Sequence, residues 1–426
     1  MNQMRLPYDA VIFDLDGTLT ESEPGITKSV QYSLDALGRT DYDDEMLRSF
    51  IGPPLFEAYT RVMGMDDETA RKGVVLYRER FAQVGWTENA VYPGIPLLLR
   101  SLKAHGAYIA LATSKPEMFA GKIAQHFGIA QYIDRIIAAS PDNESSDKPE
   151  LVRRALPDSY RRACMVGDRK YDVEGGQANG IDTIGALYGY GNREELETAG
   201  ATMIAEDVPS LTALLLGECG AEKGLFISLE GSDGCGKSTQ MEPLAGWLRQ
   251  CGHDLVTTRE PGGCPVAERI RDVVLDASAT EMTDLTEALL FAASRAQHVH
   301  DVIRPAIAAG KTVLCDRYVD SSIAYQGAGR GLGVELVRGL NAPGVEGTMP
   351  DLTILFDIDP KAALKRRINA SEADRIEATA QAFIQKTYAF YHDLAKREPD
   401  RVKTFDADGT PDQVAENLRR FITPLL

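Results

Sequence analysis

The run Gly231-Ser232-Asp233-Gly234-Cys235-Gly236-Lys237-Ser238-Thr239 follows directly on the apolar stretch Phe226-Ile227-Ser228-Leu229-Glu230 and leads into an amphipathic stretch with helical spacing. It satisfies G-x-x-x-x-G-K-[ST] in its required strand–loop–helix setting. Glycines let successive backbone N–H groups turn toward one anion, and the following helix adds the positive end of its dipole. Lys237 reaches the outer phosphates and Ser238 can ligate Mg2+, so residues 231–239 are expected to hold ATP or a similar triphosphate. A chain committed to that loop is committed to a parallel sheet flanked by helices.

The same alternation of short apolar runs and helical stretches occurs twice. Strand-like runs fall at residues 10–13, 108–112, 163–166 and 183–187, then at 225–229, 254–258, 312–315 and 352–356. A chain of 426 residues is too long for one core and suits two of roughly 200 residues each. The expected fold class is therefore α/β, with two three-layer parallel-sheet domains over residues 1–218 and 224–426 and a linker at 219–223, where an apolar helix gives way to small and charged residues. Residues from about 20 to 90 read as nearly all helical and interrupt the first series after one strand, as an inserted cap would.

No apolar run approaches the roughly 20 residues that a membrane helix needs, and residues 1–7 carry no secretory pattern, so a cytoplasmic protein without a membrane partner is expected. The six cysteines form no Cys-x-x-Cys pair, which favours reduced thiols. A formal charge of −17 opposes nucleic-acid binding unless basic residues gather in one stripe, and none is found. His298 and His300 point in different directions on a helix and read as ordinary surface or capping residues.

At the end of the first run stand Asp14-Leu15-Asp16-Gly17-Thr18. Two carboxylates beside a glycine turn, at the sheet edge where open α/β folds bind ligands, can share a hard cation while one attacks phosphorus. Together with Thr113-Ser114-Lys115, Lys148-Pro149, Val166-Gly167-Asp168 and Asp172, this segment resembles the haloacid dehalogenase (HAD) superfamily over residues 6–216. The resemblance implies a Rossmann-like domain with a helical cap, closest to phosphoglycolate phosphatases and 5'-nucleotidases, acting on a small phosphomonoester. It makes Asp14 the nucleophile and Asp16 the group that protonates the leaving oxygen and later activates water. Thr113 and Lys148 would hold the phosphate, and Asp14, Asp16, Asp168 and Asp172 would form the Mg2+ site. Asp172 also reads as a helix N-terminal charge, and Lys115 as a surface cation outside the site.

The second half carries Thr258-Arg259-Glu260-Pro261-Gly262-Gly263, then Leu289-Leu290-Phe291-Ala292-Ala293-Ser294-Arg295, then Asp316-Arg317-Tyr318 with Ser321-Ser322 and Ala324-Tyr325-Gln326-Gly327. In this order the words resemble thymidylate kinase over residues 224–426, a P-loop nucleoside monophosphate kinase. The resemblance implies that ATP phosphorylates dTMP to dTDP, with Mg2+, in a homodimer formed through this domain. Phe291 would stack on thymine, with Arg295 one helical turn on at its carbonyl edge and Gln326 against the base. Arg259, Arg317 and Ser321 would serve the monophosphate, Asp233 the deoxyribose hydroxyl, and Tyr325 would exclude a ribose hydroxyl. Asp316 would organise the metal's water or the acceptor phosphate.

Gly234 occupies the place where some thymidylate kinases carry a catalytic Arg. The basic run from Lys365 to Glu377 looks like the lid of the bacterial type, and Arg367 and Arg375 are its candidates for the catalytic charge. Two alternatives stay open: a first half that binds a metabolite without turnover, and a kinase acting on another monophosphate such as dUMP.

Overall fold

All four residues of Ala10-Val11-Ile12-Phe13 have no exposed surface, and the strand they form is paired on both sides. A strand covered on both faces by helices must be apolar throughout, and each large side chain so buried contributes about 1.5–3 kcal/mol. A computed structural model describes residues 5–52, 55–139, 147–363 and 381–426. The chain divides into two units, one of Met1–Glu222 and Gln250–His253, the other of Lys223–Arg249 and Asp254–Leu426.

The first unit contains β1 (Ala10–Phe13), β2 (Thr20–Glu21), β3 (Ala90–Val91), β4 (Tyr108–Pro116), β5 (Arg135–Ala139), β6 (Ala163–Gly167), β7 (Asp182–Ala186) and β8 (Met203–Ala205). Six of these make a parallel sheet in the order β5-β4-β1-β6-β7-β8. The loops after β1, β4 and β6 thus leave adjacent strands at one edge, where Asp14, Thr113 and Asp168 stand. Between the short antiparallel pair β2 and β3 run the cap helices Glu23–Ala36, Asp44–Arg48, Leu55–Arg61 and Asp67–Gln83. The last begins at Asp66, whose carboxylate accepts from the Thr69 N–H as an N-cap.

The second unit contains β9 (Phe226–Glu230), β10 (Leu255–Arg259), β11 (Thr312–Asp316), β12 (Leu352–Asp357) and β13 (Val402–Asp406), all parallel in the order β10-β11-β9-β12-β13. Central β9 delivers the glycine loop, and adjacent β11 delivers Asp316 and Arg317. The helix Lys237–Gln250 carries the first of these motifs back along the sheet. Among the described residues no helix is long and apolar enough to cross a membrane.

All eight expected strands are present, with ends shifted by a few residues at most. The strands not anticipated are β2, β3, β5, β8 and β13: the first two are a two-residue pair, and the other three are outermost in their sheets and need no continuous apolar run. In β4 the strand continues past residue 112 to Pro116, with its register against β5 shifted between Thr113 and Pro116. That extension turns the Thr113–Lys115 segment into site structure.

Candidate active sites

In the first unit, Lys148 is the centre of charge. Its ammonium lies 2.7 Å from Asp14 Oδ1 and 2.5 Å from an Asp172 oxygen, with all three side chains largely buried. One carboxylate oxygen from each of Asp14, Asp168 and Asp172 lies within 4.8 Å of the others, a donor set of hard oxygens suited to a divalent cation such as Mg2+. Burial pushes the Asp14 carboxyl up to about 6, against the pull of Lys148 and with the push of Asp172. Burial, then Asp172 and Asp14, push Asp168 up to about 8. Burial works against the Lys148 charge, but Asp14 and Asp172 outweigh it and hold its pKa above the ordinary lysine value. Three crowded carboxylates, two of them paired with one ammonium, leave negative charge that a divalent cation would neutralise.

Around them, Asp168 accepts from the Tyr190 N–H at 2.8 Å and from Thr18 Oγ1 at 3.3 Å. Asp172 faces Lys148 and also accepts from the Arg169 N–H at 3.0 Å, as a carboxylate at a helix N-terminus does. Thr113 is buried, and its Oγ1 accepts from the Lys115 N–H at 3.2 Å.

Two placements differ from the sequence reading. The Asp16 carboxylate stands apart from the three-carboxylate group and is gripped by Lys115, whose Nζ lies 2.9 and 2.7 Å from its two oxygens. Lys115, expected at the surface, has a side chain only 5% exposed. Its one sequence signal was the position two residues after Thr113, at the end of a central strand.

In the second unit, a cavity of about 1140 Å3 is lined by the glycine loop, Arg259, Phe291, Arg295, Asp316, Arg317, Tyr325 and Gln326. Lys237 is buried and donates to the Gly231 and Ser232 carbonyls, each at 3.0 Å, which folds it across its own loop. Ser238 Oγ donates to Asp316 Oδ2 at 2.8 Å, while Asp316 Oδ1 is buried without a hydrogen-bond partner among the described residues. A metal held by Ser238, or its water, fits that orphaned oxygen.

Arg317 has a left-handed backbone, φ 69°. Its N–H donates to Leu229 O at 3.0 Å, and the next N–H, of Tyr318, donates to Glu230 Oε1 at 2.7 Å. Its guanidinium reaches Gly231 O at 3.1 Å, Ser321 Oγ at 3.0 Å, Tyr325 Oη at 3.2 Å and the Asp233 carboxylate. Tyr325 in turn donates to Asp233 Oδ2 at 2.9 Å. Ser321 donates to Glu230 Oε2 at 2.6 Å, and burial and Asp320 push Glu230 up to about 7.

Arg295 is 2% exposed and donates to Glu260, Ser322, Asn341 and the Tyr318 carbonyl. Among the described residues these bonds take four of its five N–H groups, and Arg295 also lines the cavity. His298 is fully buried, not a surface residue, and joins Glu260 Oε1 at 2.9 Å to Thr258 Oγ1 at 2.7 Å. Gln326 donates to Glu287 at 2.9 Å and keeps a buried Oε1 without a partner among the described residues, while Arg259 turns to Glu268 at 3.0 Å. Arg367 and Arg375 lie outside the described residues.

The profile of the family "Thymidylate kinase" matches residues 229–418, and that of "Haloacid dehalogenase-like hydrolase" matches residues 11–186. A thymidylate kinase of an Exiguobacterium species is 49% identical over 185 residues, 43% of this chain and 87% of that kinase. One from Deinococcus radiodurans is 48% identical over 196 residues, 46% of this chain and 95% of that kinase. A solved structure described as a predicted phosphatase from Clostridium acetobutylicum is 43% identical, covers 48% of this chain and 96% of its own, and gives a TM-score of 0.44.

Proposed function

This chain belongs to the thymidylate kinase family through its second unit and carries a haloacid dehalogenase-like hydrolase domain in its first, and on that premise we propose a bifunctional cytoplasmic enzyme. The second unit phosphorylates dTMP to dTDP with ATP, a step toward dTTP. The first unit hydrolyses a small phosphomonoester through an aspartyl-phosphate on Asp14. The boundary falls at residues 219–223.

For the kinase, the observation that carries the reading is the junction of Arg317, Asp233 and Tyr325 at the glycine loop, in the cavity that Phe291 also lines. Arg317 would bind the acceptor phosphate beside the loop that holds the donor, which is most of what phosphoryl transfer asks of a protein. The ring of Phe291 and the last donor of Arg295 suit a pyrimidine with an exocyclic carbonyl, and the free oxygen of Gln326 suits a ring N–H. Lys237 would leave the loop carbonyls for the migrating phosphoryl group, and Ser238 with Asp316 would hold Mg2+. ADP release measured with dTMP, dUMP, dAMP and dGMP tests this, and faster turnover of any acceptor other than dTMP would sink it.

For the phosphatase, the carrying observation is Lys148 bound to Asp14 beside two further carboxylates. Asp14, Asp168 and Asp172 would hold Mg2+, which when bound neutralises phosphate charge. Lys148 and Thr113 would hold the phosphate oxygens while Asp14 attacks phosphorus. Asp16, free of the metal group, would give the leaving oxygen its proton and later take one from water. Phosphate release from a panel of nucleoside, sugar and glycolate monophosphates, with Asp14→Asn as control, tests this. Equal release by wild type and variant would refute it and favour a binding module.

A homodimer through the second unit is supported by an apolar face: Val266 and Val273 on the helix Pro265–Leu275, and Leu285 and Leu289 on Asp284–His298, are 37–52% exposed.

A further inference from the structure

Lys115 is buried in the first unit with one ionic partner among the described residues, the carboxylate of Asp16, and both oxygens of that carboxylate face its ammonium. A lysine stem of this length gives up substantial rotamer freedom to stay buried, so its site has to hold it. Two features do. Its backbone N–H is tied to Thr113 Oγ1, inside the segment where β4 shifts register. Its Nζ also lies 4.9 Å from the ring centroid of Phe81, on the cap helix Asp67–Gln83. That ring is itself fixed, stacked on Tyr77 at 5.5 Å and edge-on to Phe119 at 5.0 Å. The ammonium is therefore located by the core strand on one side and by an aromatic wall of the cap on the other.

A carboxylate on a two-bond side chain turns freely unless it is gripped. Asp16 is 21% exposed along its side chain, so water alone would leave it mobile. Proton transfer is sensitive to such freedom, since donor and acceptor must come within about 2.6–3.2 Å.

We propose that Lys115 is a positioning residue for the phosphatase reaction: it holds the Asp16 carboxylate toward the leaving-group oxygen, and it does so only while Phe81 of the cap is seated against it. Cap seating and acid alignment are thus one event. This deepens the phosphatase reading and rests on it. Asp16 enters the step protonated on one oxygen, gives that proton to the leaving oxygen and takes one back from the attacking water, while its other oxygen stays with Lys115, which neither gains nor loses a proton.

The test uses the full chain with Mg2+ and a series of substituted phenyl phosphates, from 4-nitrophenyl to 4-methoxyphenyl. General acid–base groups contribute roughly 10²–10⁴-fold, and a positioning group should carry about tenfold or more of that. Lys115→Met keeps the stem against Phe81 and removes the grip. It should lose activity in step with leaving-group basicity: little with 4-nitrophenyl phosphate, about tenfold or more with 4-methoxyphenyl phosphate, at similar KM. Lys115→Ala should lose more, and added ethylammonium should restore part of it. Phe81→Leu should show the same dependence in weaker form.

A uniform loss across the series, or no response of Lys115→Ala to ethylammonium, overturns the inference. Asp16→Asn separates the two levels. If it loses activity equally on every leaving group, the assignment of Asp16 as acid fails. If it shows the steep dependence while Lys115→Met does not, only the role given to Lys115 fails.

Discussion

Arg295 and Glu260 meet at 2.7 Å with side chains that are each 2% exposed. The other Glu260 oxygen holds His298, so one carboxylate anchors two groups behind the cavity wall. Removing one member of a buried pair leaves the other's charge without compensation, typically at about 3–5 kcal/mol. Glu260→Ala is expected to destabilise the second unit by about that much in chemical denaturation, and Glu260→Gln by less. A change of less than about 1 kcal/mol for Glu260→Ala would show that the pair is not what holds Arg295.

The carboxylates of the first unit predict a pH dependence with a definite sign. Asp14 and Asp168 have folded values of about 6 and about 8, above the unfolded value of about 3.9, so the metal-free folded state binds more protons than the unfolded one. Their stability contribution is fully present below the unfolded value and is lost as pH rises through the folded values. The metal-free first unit should therefore show a thermal midpoint that falls between about pH 4 and pH 8, and Mg2+ should raise it most at the upper end. A midpoint in EDTA that rises across this window would contradict the assignment.

Gly17 has φ 82°, and a Cβ there would stand 2.3 Å from Asp168 Oδ2. Gly17→Ala combines a left-handed penalty of roughly 1–2 kcal/mol with displacement of a carboxylate proposed to hold Mg2+. Phosphate release should fall, and the Mg2+ concentration for half-maximal rate should rise. An unchanged Mg2+ dependence would place the metal elsewhere.

Each activity should be removable alone. Asp14→Asn is expected to abolish phosphate release and keep dTMP-dependent ADP formation. Lys237→Ala should do the reverse, since among the described residues Lys237 reaches its own loop, at Gly231, Ser232 and Cys235. Loss of both activities in either variant would mean that the two reactions are not independent.

Leu285 and Leu289 stand four residues apart on one helix face, 45% and 48% exposed. Leu289→Glu should convert a dimer to monomer in light scattering. A wild-type protein that is already monomeric would remove the dimer from the reading.

Much of both sites was legible in the residues because short-range physics writes it there. The strand–loop–helix of Gly231–Thr239 needs its glycines where they stand, and buried β1, an unbroken apolar run, and β9, a mostly apolar one, each end in a site motif. Edge strands such as β13, Val-Lys-Thr-Phe-Asp, carry a mixed pattern because one flank has no neighbour, and they escaped notice for that reason.

Long-range pairing left no such mark. Lys115 and Asp16 are 99 positions apart, and Arg295 and Glu260 are 35 apart. Local spacing assigned Lys115 to the surface and His298 to the surface or a cap, because a polar or charged side chain reads as solvated until its partner is known. Which amino acids bring chemistry to the sheet edges was determined by the sequence alone. Which cation grips which carboxylate was decided by the tertiary structure, since burying a charge is costly everywhere except beside the one opposite charge that the fold delivers.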